Sequence, residues 1–244
     1  MATVQSESYT TSVSGTVNKL LANNISNDTI FIMAGEIVKG GKQDRVIAKD
    51  IVIHPGEEVD LGAFCVEKNR WSTKNGNKGN FTGHSDMLSI DIREVVTEQE
   101  SQSEVWKKVD MHTSINDASS RTGAYTNLEN SKKYQVQLKK YMNKFQDAFV
   151  NNNNVVGFIA VTGNEIIGCD LFATNELFKD SFKSLIHSYI GSAITKGAPV
   201  VMASTQVFSY LDKILKSEYD QDKNIEKNGT IYKWEGKKLH ITTY

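Results

Sequence analysis

The stretch VVGFIAVTGNEIIGCDLF (residues 155–172) decides the fold. Two apolar, β-branched runs meet at Gly163-Asn164, and both residues of that pair tolerate positive φ. The spacing predicts a β-hairpin with a tight turn. Helical patterns flank it on both sides. Before it, residues 131–151 repeat Tyr134, Leu138, Tyr141, Phe145 and Phe149 every three or four positions, opposite a face of lysines and glutamines. After it, residues 175–196 place Phe178, Phe182, Leu185, Tyr189 and Ile194 in helical register, with Gly197 to end the helix and Pro199 to prevent its continuation. A strand over 199–203, a helix over 205–215 and a last hairpin turning at Glu235-Gly236 complete this half.

Towards the N-terminus the periodicity changes. TIFIMAGE (29–36) and RVIAKDIVI (45–53) read as short strands, HPGEE (54–58) as a turn, and VDLGAFCVEKNRW (59–71) as a run that starts as a strand. The polar STKNGNKGNFTGHSD (72–86) reads as a loop. MLSIDIREV (87–95) alternates Leu88, Ile90 and Ile92 with Ser89, Asp91 and Arg93, which predicts a half-buried strand. Residues 98–111, with Val105, Trp106 and Val109, predict a short helix. Residues 1–15 are rich in Ser and Thr and are expected to form a disordered tail. Residues 16–244 show no repeat and no linker. The expected class is α+β: a single domain with a β-rich N-terminal half, a mixed sheet, and amphipathic helices packed on it.

The composition supports a buried core: 39% of the 244 residues are hydrophobic and 23% are charged. A net charge of −1 gives no global attraction to nucleic acid or to an anionic membrane surface. No apolar run reaches the roughly 18 residues that span a bilayer, and the N-terminus lacks the pattern of a signal peptide. A soluble, cytoplasmic protein is expected. Cys65 and Cys169 are too few for a disulfide scaffold and are expected to be reduced and buried. The histidines, His54, His84, His112, His187 and His240, have no metal-ligand spacing.

Three polar stretches interrupt the apolar pattern. GEIVKGGKQDR (35–45) combines adjacent glycines with Lys42, Gln43, Asp44 and Arg45. Consecutive glycines let backbone N–H groups converge on an anion, and a lysine adds charge. The nucleoside-triphosphate loop G-x-x-x-x-G-K-[ST] is excluded, because Glu36 stands where its first glycine would be and Gln43 follows Lys42. The alternative is a hairpin turn with solvated charges. CVEKNRW (65–71) presents Glu67, Arg70 and Trp71, which suit a phosphate or carboxylate and a nucleobase or sugar face; the alternative is a structural Glu67–Arg70 pair with Trp71 in the core. GNEIIGCDLF (163–172) places Asp170 where it can bind a hydroxyl or act as a base. Cys169 has no histidine near it in sequence and reads as a buried thiol.

AGEIVKGGKQDRVI (34–47), CVEKNRW (65–71), VGFIAVTGNEIIGCDLF (156–172) and ELF (176–178), in that order and spacing, resemble the bacterial and phage ARPP domain, which is associated with ADP-ribosylglycohydrolases and rhodanese/phosphatase proteins. The resemblance covers roughly residues 17–215. Its genomic company implies a domain that binds or processes ADP-ribose, an NAD-derived species or a related phosphorylated nucleotide. The residues it implies are Glu67 and Asp170 as acid and base if a reaction is catalysed, and Glu36, Lys42, Gln43, Asp44, Arg45, Arg70 and Trp71 as ligand-binding groups. A divalent metal held by Glu36, Asp44, Glu67 or Asp170 is compatible with these side chains but unsupported by spacing. Two rival readings stand beside this one. In the first, a non-enzymatic protein–protein interaction module uses the polar motifs as structural braces. In the second, a carbohydrate-binding protein uses exposed Trp and Tyr. The discriminating feature is convergence on one pocket, as opposed to burial of Glu67 against Arg45 or Arg70.

Overall fold

The structure is a computed structural model that describes residues 2–5, 18–70, 72, 81–215 and 218–244. The class is α+β, and every pairing between described strands is antiparallel, where a mixed sheet was expected. By its contacts the chain divides into two compact units. The first comprises Met1–Leu88 and Val95–Val136, the second Ser89–Glu94 and Gln137–Tyr244.

The first unit is built on a six-stranded sheet. In chain order its strands are β1 (Ala2–Gln5), β2 (Asn18–Asn24), β4 (Ile37–Gly40), β5 (Arg45–Ile47), β7 (Glu58–Cys65) and β8 (Phe81–Ser85), and their spatial order is β1-β2-β7-β5-β4-β8. A two-stranded sheet pairs β3 (Ile30–Ile32) with β6 (Ile51–Ile53). The run 45–53, expected as one strand, is therefore two strands in two sheets. Alternation along β2 and β7 puts Leu20, Ala22, Leu61 and Ala63 on one face, where they pack with Ile47 and Ile53. Helix α2 (Gln102–Ile115) lies slightly later than its expected range; Ser101 caps it by accepting from the Glu104 N–H. A 3-10 turn follows over Tyr125–Asn130.

The second unit carries a four-stranded sheet in the order β11 (Gly229–Trp234), β12 (Lys237–Thr243), β10 (Glu165–Phe172) and β9 (Gly157–Thr162). Both expected hairpins are present. Gly163 takes φ 53° at one turn, and Glu235 and Gly236 take φ 49° and 76° at the other. Helix α4 (Asn175–Lys196) has the expected bounds, and the Thr174 hydroxyl accepts from the Leu177 N–H at its start. Its buried face carries Phe178, Phe182, Leu185 and Tyr189. Phe158 of β9 meets Tyr189 and Phe182 edge to face at ring distances of 4.7 and 5.7 Å. Helix α3 (Lys132–Phe145), whose residues from Gln137 on belong to this unit, ends earlier than its apolar period, and α5 (Ser204–Ile214) and α6 (Glu218–Ile225) frame a cluster of Ile214, Ile225 and Ile241. Residues 199–203, expected as a strand, form none.

The clearest departure is 87–95. In place of a strand, Ile90–Glu94 is helix α1 and Val95–Gln99 a π-helical turn. The alternation misleads because Ser89, Asp91 and Arg93 are buried like their apolar neighbours. Asp91 accepts from the Ser192 hydroxyl at 2.6 Å, and Arg93 pairs with Asp170. Polar side chains that find partners inside the protein do not mark a solvent face.

Candidate functional site

The hairpin between β4 and β5 turns at Gly40–Asp44, where Gly40 and Gly41 adopt φ of 121° and 51°. Beside it the chain leaving β7 makes a second turn, Glu67–Arg70. Arg70 joins the two. Its Nε donates to Glu67 Oε2 at 2.7 Å, Nη1 to the carbonyls of Gly41 and Ser72 at 2.8 and 2.9 Å, and Nη2 to the Gly40 carbonyl and Asp44 Oδ1 at 3.0 and 3.1 Å. All five guanidinium N–H groups are thereby satisfied within the chain. Asp44 is held from three further sides. Its Oδ1 accepts from the Gly40 N–H at 3.0 Å, its Oδ2 from the Thr126 hydroxyl at 2.8 Å, and its own N–H donates to Glu67 Oε2 at 3.1 Å. Glu67 and Asp44 are 1% exposed and Arg70 6%.

Gln43 and Arg45 belong to the same frame. Gln43 Nε2 donates to the Glu67 and Lys68 carbonyls at 2.8 and 3.2 Å, and its Oε1 accepts from the Cys65 thiol at 3.1 Å. The buried Arg45 Nη1 donates to Cys65 Sγ across the β5–β7 pair. Gln102 of α2 clasps the Cys65 backbone through both its amide groups, at 2.7 and 2.9 Å. Glu36 sits apart, closing its own turn by accepting from the Met33 N–H at 3.0 Å. Lys42 is half-buried at the tip of the glycine turn. Trp71 lies outside the described residues.

The structure thus brings Gln43, Asp44, Arg45, Glu67 and Arg70 together in the first unit, with Lys42 on the turn they hold. Asp170 belongs to the second unit and has other neighbours. Arg93 meets both its oxygens at 3.1 and 3.2 Å, His240 Nε2 stands 2.9 Å from Oδ1, the Thr242 hydroxyl donates at 2.6 Å, and the Tyr189 hydroxyl bonds to Oδ2. Arg93, Asp170 and His240 are fully buried or nearly so. Burial alone pushes the Asp170 carboxyl up, but the Arg93 charge and the hydrogen bonds from His240 and Arg93 outweigh it and hold the group well below the usual carboxylate range. Burial pulls the Arg93 guanidinium down, and the Asp170 charge reverses this and raises it. Burial raises the Tyr189 phenol and the Cys169 thiol, and the Asp170 charge adds to both effects.

Sequence reasoning missed Arg93, His240, Thr242 and Tyr189 as the partners of Asp170. His240 and Thr242, two apart on one strand, share a face, which is the one signal the sequence carries. Among the described residues no group of three His, Cys, Asp or Glu is arranged to hold a metal ion, and no helix is long and apolar enough to cross a membrane.

The fold and these networks define an α+β protein of two antiparallel units, each braced by a buried arginine–carboxylate cluster. The chain belongs to the family of the ARG and Rhodanese-Phosphatase-superfamily-associated Protein domain, which it matches over residues 3–242. No curated protein and no solved structure matches it.

Proposed function

We propose that the first unit binds the phosphate of an ADP-ribose, NAD-derived or related phosphorylated nucleotide at the Gly40–Gln43 turn. One observation carries this reading. Arg70 draws the Gly40 and Gly41 carbonyls inward, while the N–H groups of Gly41 and Gln43, on two buried residues, have no acceptor among the described residues. Buried backbone donors require a partner, and N–H groups converging at a left-handed glycine favour an anion. Lys42 lies between them. In this reading Arg70, Asp44 and Glu67 are positioning residues that hold the turn. The family's association with ADP-ribosylglycohydrolases supplies the ligand class.

The reading is one of binding. Glu67 and Asp170, the acid and base of a hydrolytic version, are each engaged in a buried ion pair. That same burial favours a second reading, a non-enzymatic interaction module whose polar motifs are braces.

The test is calorimetric titration and thermal shift with ADP-ribose, NAD, cyclic ADP-ribose, mono- and dinucleotides and plain sugars, with and without Mg²⁺. Ligand at a hundred times Kd stabilises the native state by about 2.7 kcal/mol, so a binder raises Tm. Lys42→Ala is expected to weaken that ligand about tenfold, the order of one charge-assisted hydrogen bond. A flat panel sinks the nucleotide reading and favours the interaction module.

A further inference from the structure

The second unit carries a groove of about 460 Å³ that the nucleotide reading does not use. One wall is Phe158, Ile159, Ala160, Val161 and Thr162, five consecutive residues of β9. Successive strand side chains point to opposite faces, so five in a row border one groove only where it runs along the strand's edge. β9 is the terminal strand of its sheet. The opposite wall is apolar and comes largely from α4, with Phe182, Ile186 and Tyr189 among its residues.

This edge is open. From Gly157 to Val161, the backbone groups facing away from β10 have no partner among the described residues. The strand GFIAVT contains no charge and no proline, and the register irregularity of the hairpin falls between Ile166 and Gly168 on the paired strand. These are the devices that normally protect an edge, and β9 lacks them. Past its far end, at the hairpin turn, the chain that follows α4 is hydrogen-bonded without forming a strand. The Gly163 N–H donates to the Ala198 carbonyl at 3.1 Å, the Val201 N–H to the Gly163 carbonyl at 2.8 Å, and the Ala198 N–H to the Thr162 hydroxyl at 2.7 Å.

We propose that the groove beside β9 binds an extended apolar peptide that pairs with the strand as an added β-strand and sets a carboxylate against Lys144. Among the described residues Lys144 is the one charged residue lining the groove, and no ion pair occupies it. A hydrocarbon ligand would fill the apolar space and leave the β9 donors and acceptors without partners. In a second copy pairing through β9, the pairing strand GFIAVT itself carries no carboxylate to set against Lys144. Added-strand recognition meets both demands: the main chain supplies the hydrogen bonds, and alternate side chains enter the apolar wall.

The test is a displayed library of random hexapeptides with free C-termini, panned in parallel against the full chain and its Val161→Lys variant, which puts a charge on the edge. Enrichment of alternating apolar sequences bearing a carboxylate on the unsubstituted chain alone is expected. The enriched peptide, labelled at its N-terminus, is then titrated by fluorescence anisotropy. N-methylation of alternate peptide amides is expected to weaken it at least about tenfold through the lost backbone bonds. Lys144→Glu, on an exposed site that leaves folding intact, is expected to weaken it by about fivefold, the scale of a solvent-exposed ion pair. Amidating its C-terminus tells a terminal carboxylate from an acidic side chain. No enrichment over the Val161→Lys control, or undiminished binding of the N-methylated peptide, overturns the proposal. So does a saturable decanoate site with no peptide enriched, or a concentration-dependent dimer that Val161→Lys abolishes.

Discussion

Nε and Nη2 of Arg70 stand 2.7 and 2.6 Å from one oxygen of Glu67, Oε2, which also accepts the Asp44 N–H. Two elements adjacent in space but distant in sequence are locked through that atom. Removing one partner of a buried pair leaves the other uncompensated, at a cost of about 3–5 kcal/mol. Arg70→Ala is therefore expected to lose about that much in urea unfolding. Arg70→Lys is expected to recover little of it, because an ammonium cannot reach the Gly40, Gly41 and Ser72 carbonyls and both carboxylates together. Wild-type stability in Arg70→Ala would show that the cluster does not brace the fold.

Asp170 gives the second unit a pH signature. Its carboxyl is held below the ordinary value of 3.8. A depressed folded-state pKa contributes stability that is fully present above the unfolded value and declines as pH falls below it towards the folded one. The difference in unfolding free energy between wild type and Asp170→Asn is thus expected to be flat between about pH 5 and 8 and to narrow below about pH 4. At neutral pH the variant should lose about 3–5 kcal/mol, because Arg93 is left buried without its counter-charge. A difference that grows on acidification contradicts the assigned direction.

These two clusters were not equally legible in the sequence. GGKQDR and CVEKNR announced themselves as dense polar stretches beside apolar strands, and the antiparallel β5–β7 pair puts them side by side. The Asp170 cluster was hidden. Arg93 sits in IDIREV, whose alternation imitates a half-exposed strand, and only its ion pair with Asp170 explains why a charge stands among fully buried neighbours. Helix α4 was readable to its ends because its apolar stripe is long and its caps are ordinary. Helix α6 was not, since Ile225 is its one apolar residue in the core among the described side chains and a single contact has no period. The break of 45–53 into two strands is a tertiary event: Val46 and Ile53 both read as strand, and which sheet each joins depends on partners far along the chain.

Cys169 is expected to be inert in the folded protein. It is 1% exposed, and burial together with the Asp170 charge raises its thiol well above the usual range. In iodoacetamide labelling resolved by mass spectrometry, the peptide holding Cys169 should be modified no faster than the chain unfolds. Rapid labelling under native conditions would contradict this and make Cys169 a candidate nucleophile.

Gly168 lies at the register irregularity of β10 with φ 153°, and a Cβ there would stand 2.9 Å from the Thr243 carbonyl and 3.1 Å from the Ile90 side chain. Two penalties combine, a backbone conformation that L-residues rarely adopt and an overpacked contact. Gly168→Ala is expected to destabilise by about 1–3 kcal/mol in chemical denaturation. Gly83→Ala, with nothing within 4 Å of the added carbon, is the control and should cost far less.

The Gly40–Gln43 turn makes its own prediction at the level of single amides. If the Gly41 and Gln43 N–H groups receive a phosphate, their ¹H–¹⁵N resonances should move downfield on titration with ADP-ribose, and their hydrogen exchange should slow. The Gly40 amide already donates to Asp44 Oδ1 and should move far less. Inorganic phosphate at higher concentration should shift the same two resonances, because the contact is to the phosphate and not to the base. Raising the salt concentration should reverse both effects, since ions screen an attraction at a half-exposed lysine. Shifts confined to other residues would leave the turn as a structural hairpin and move the ligand elsewhere in the unit.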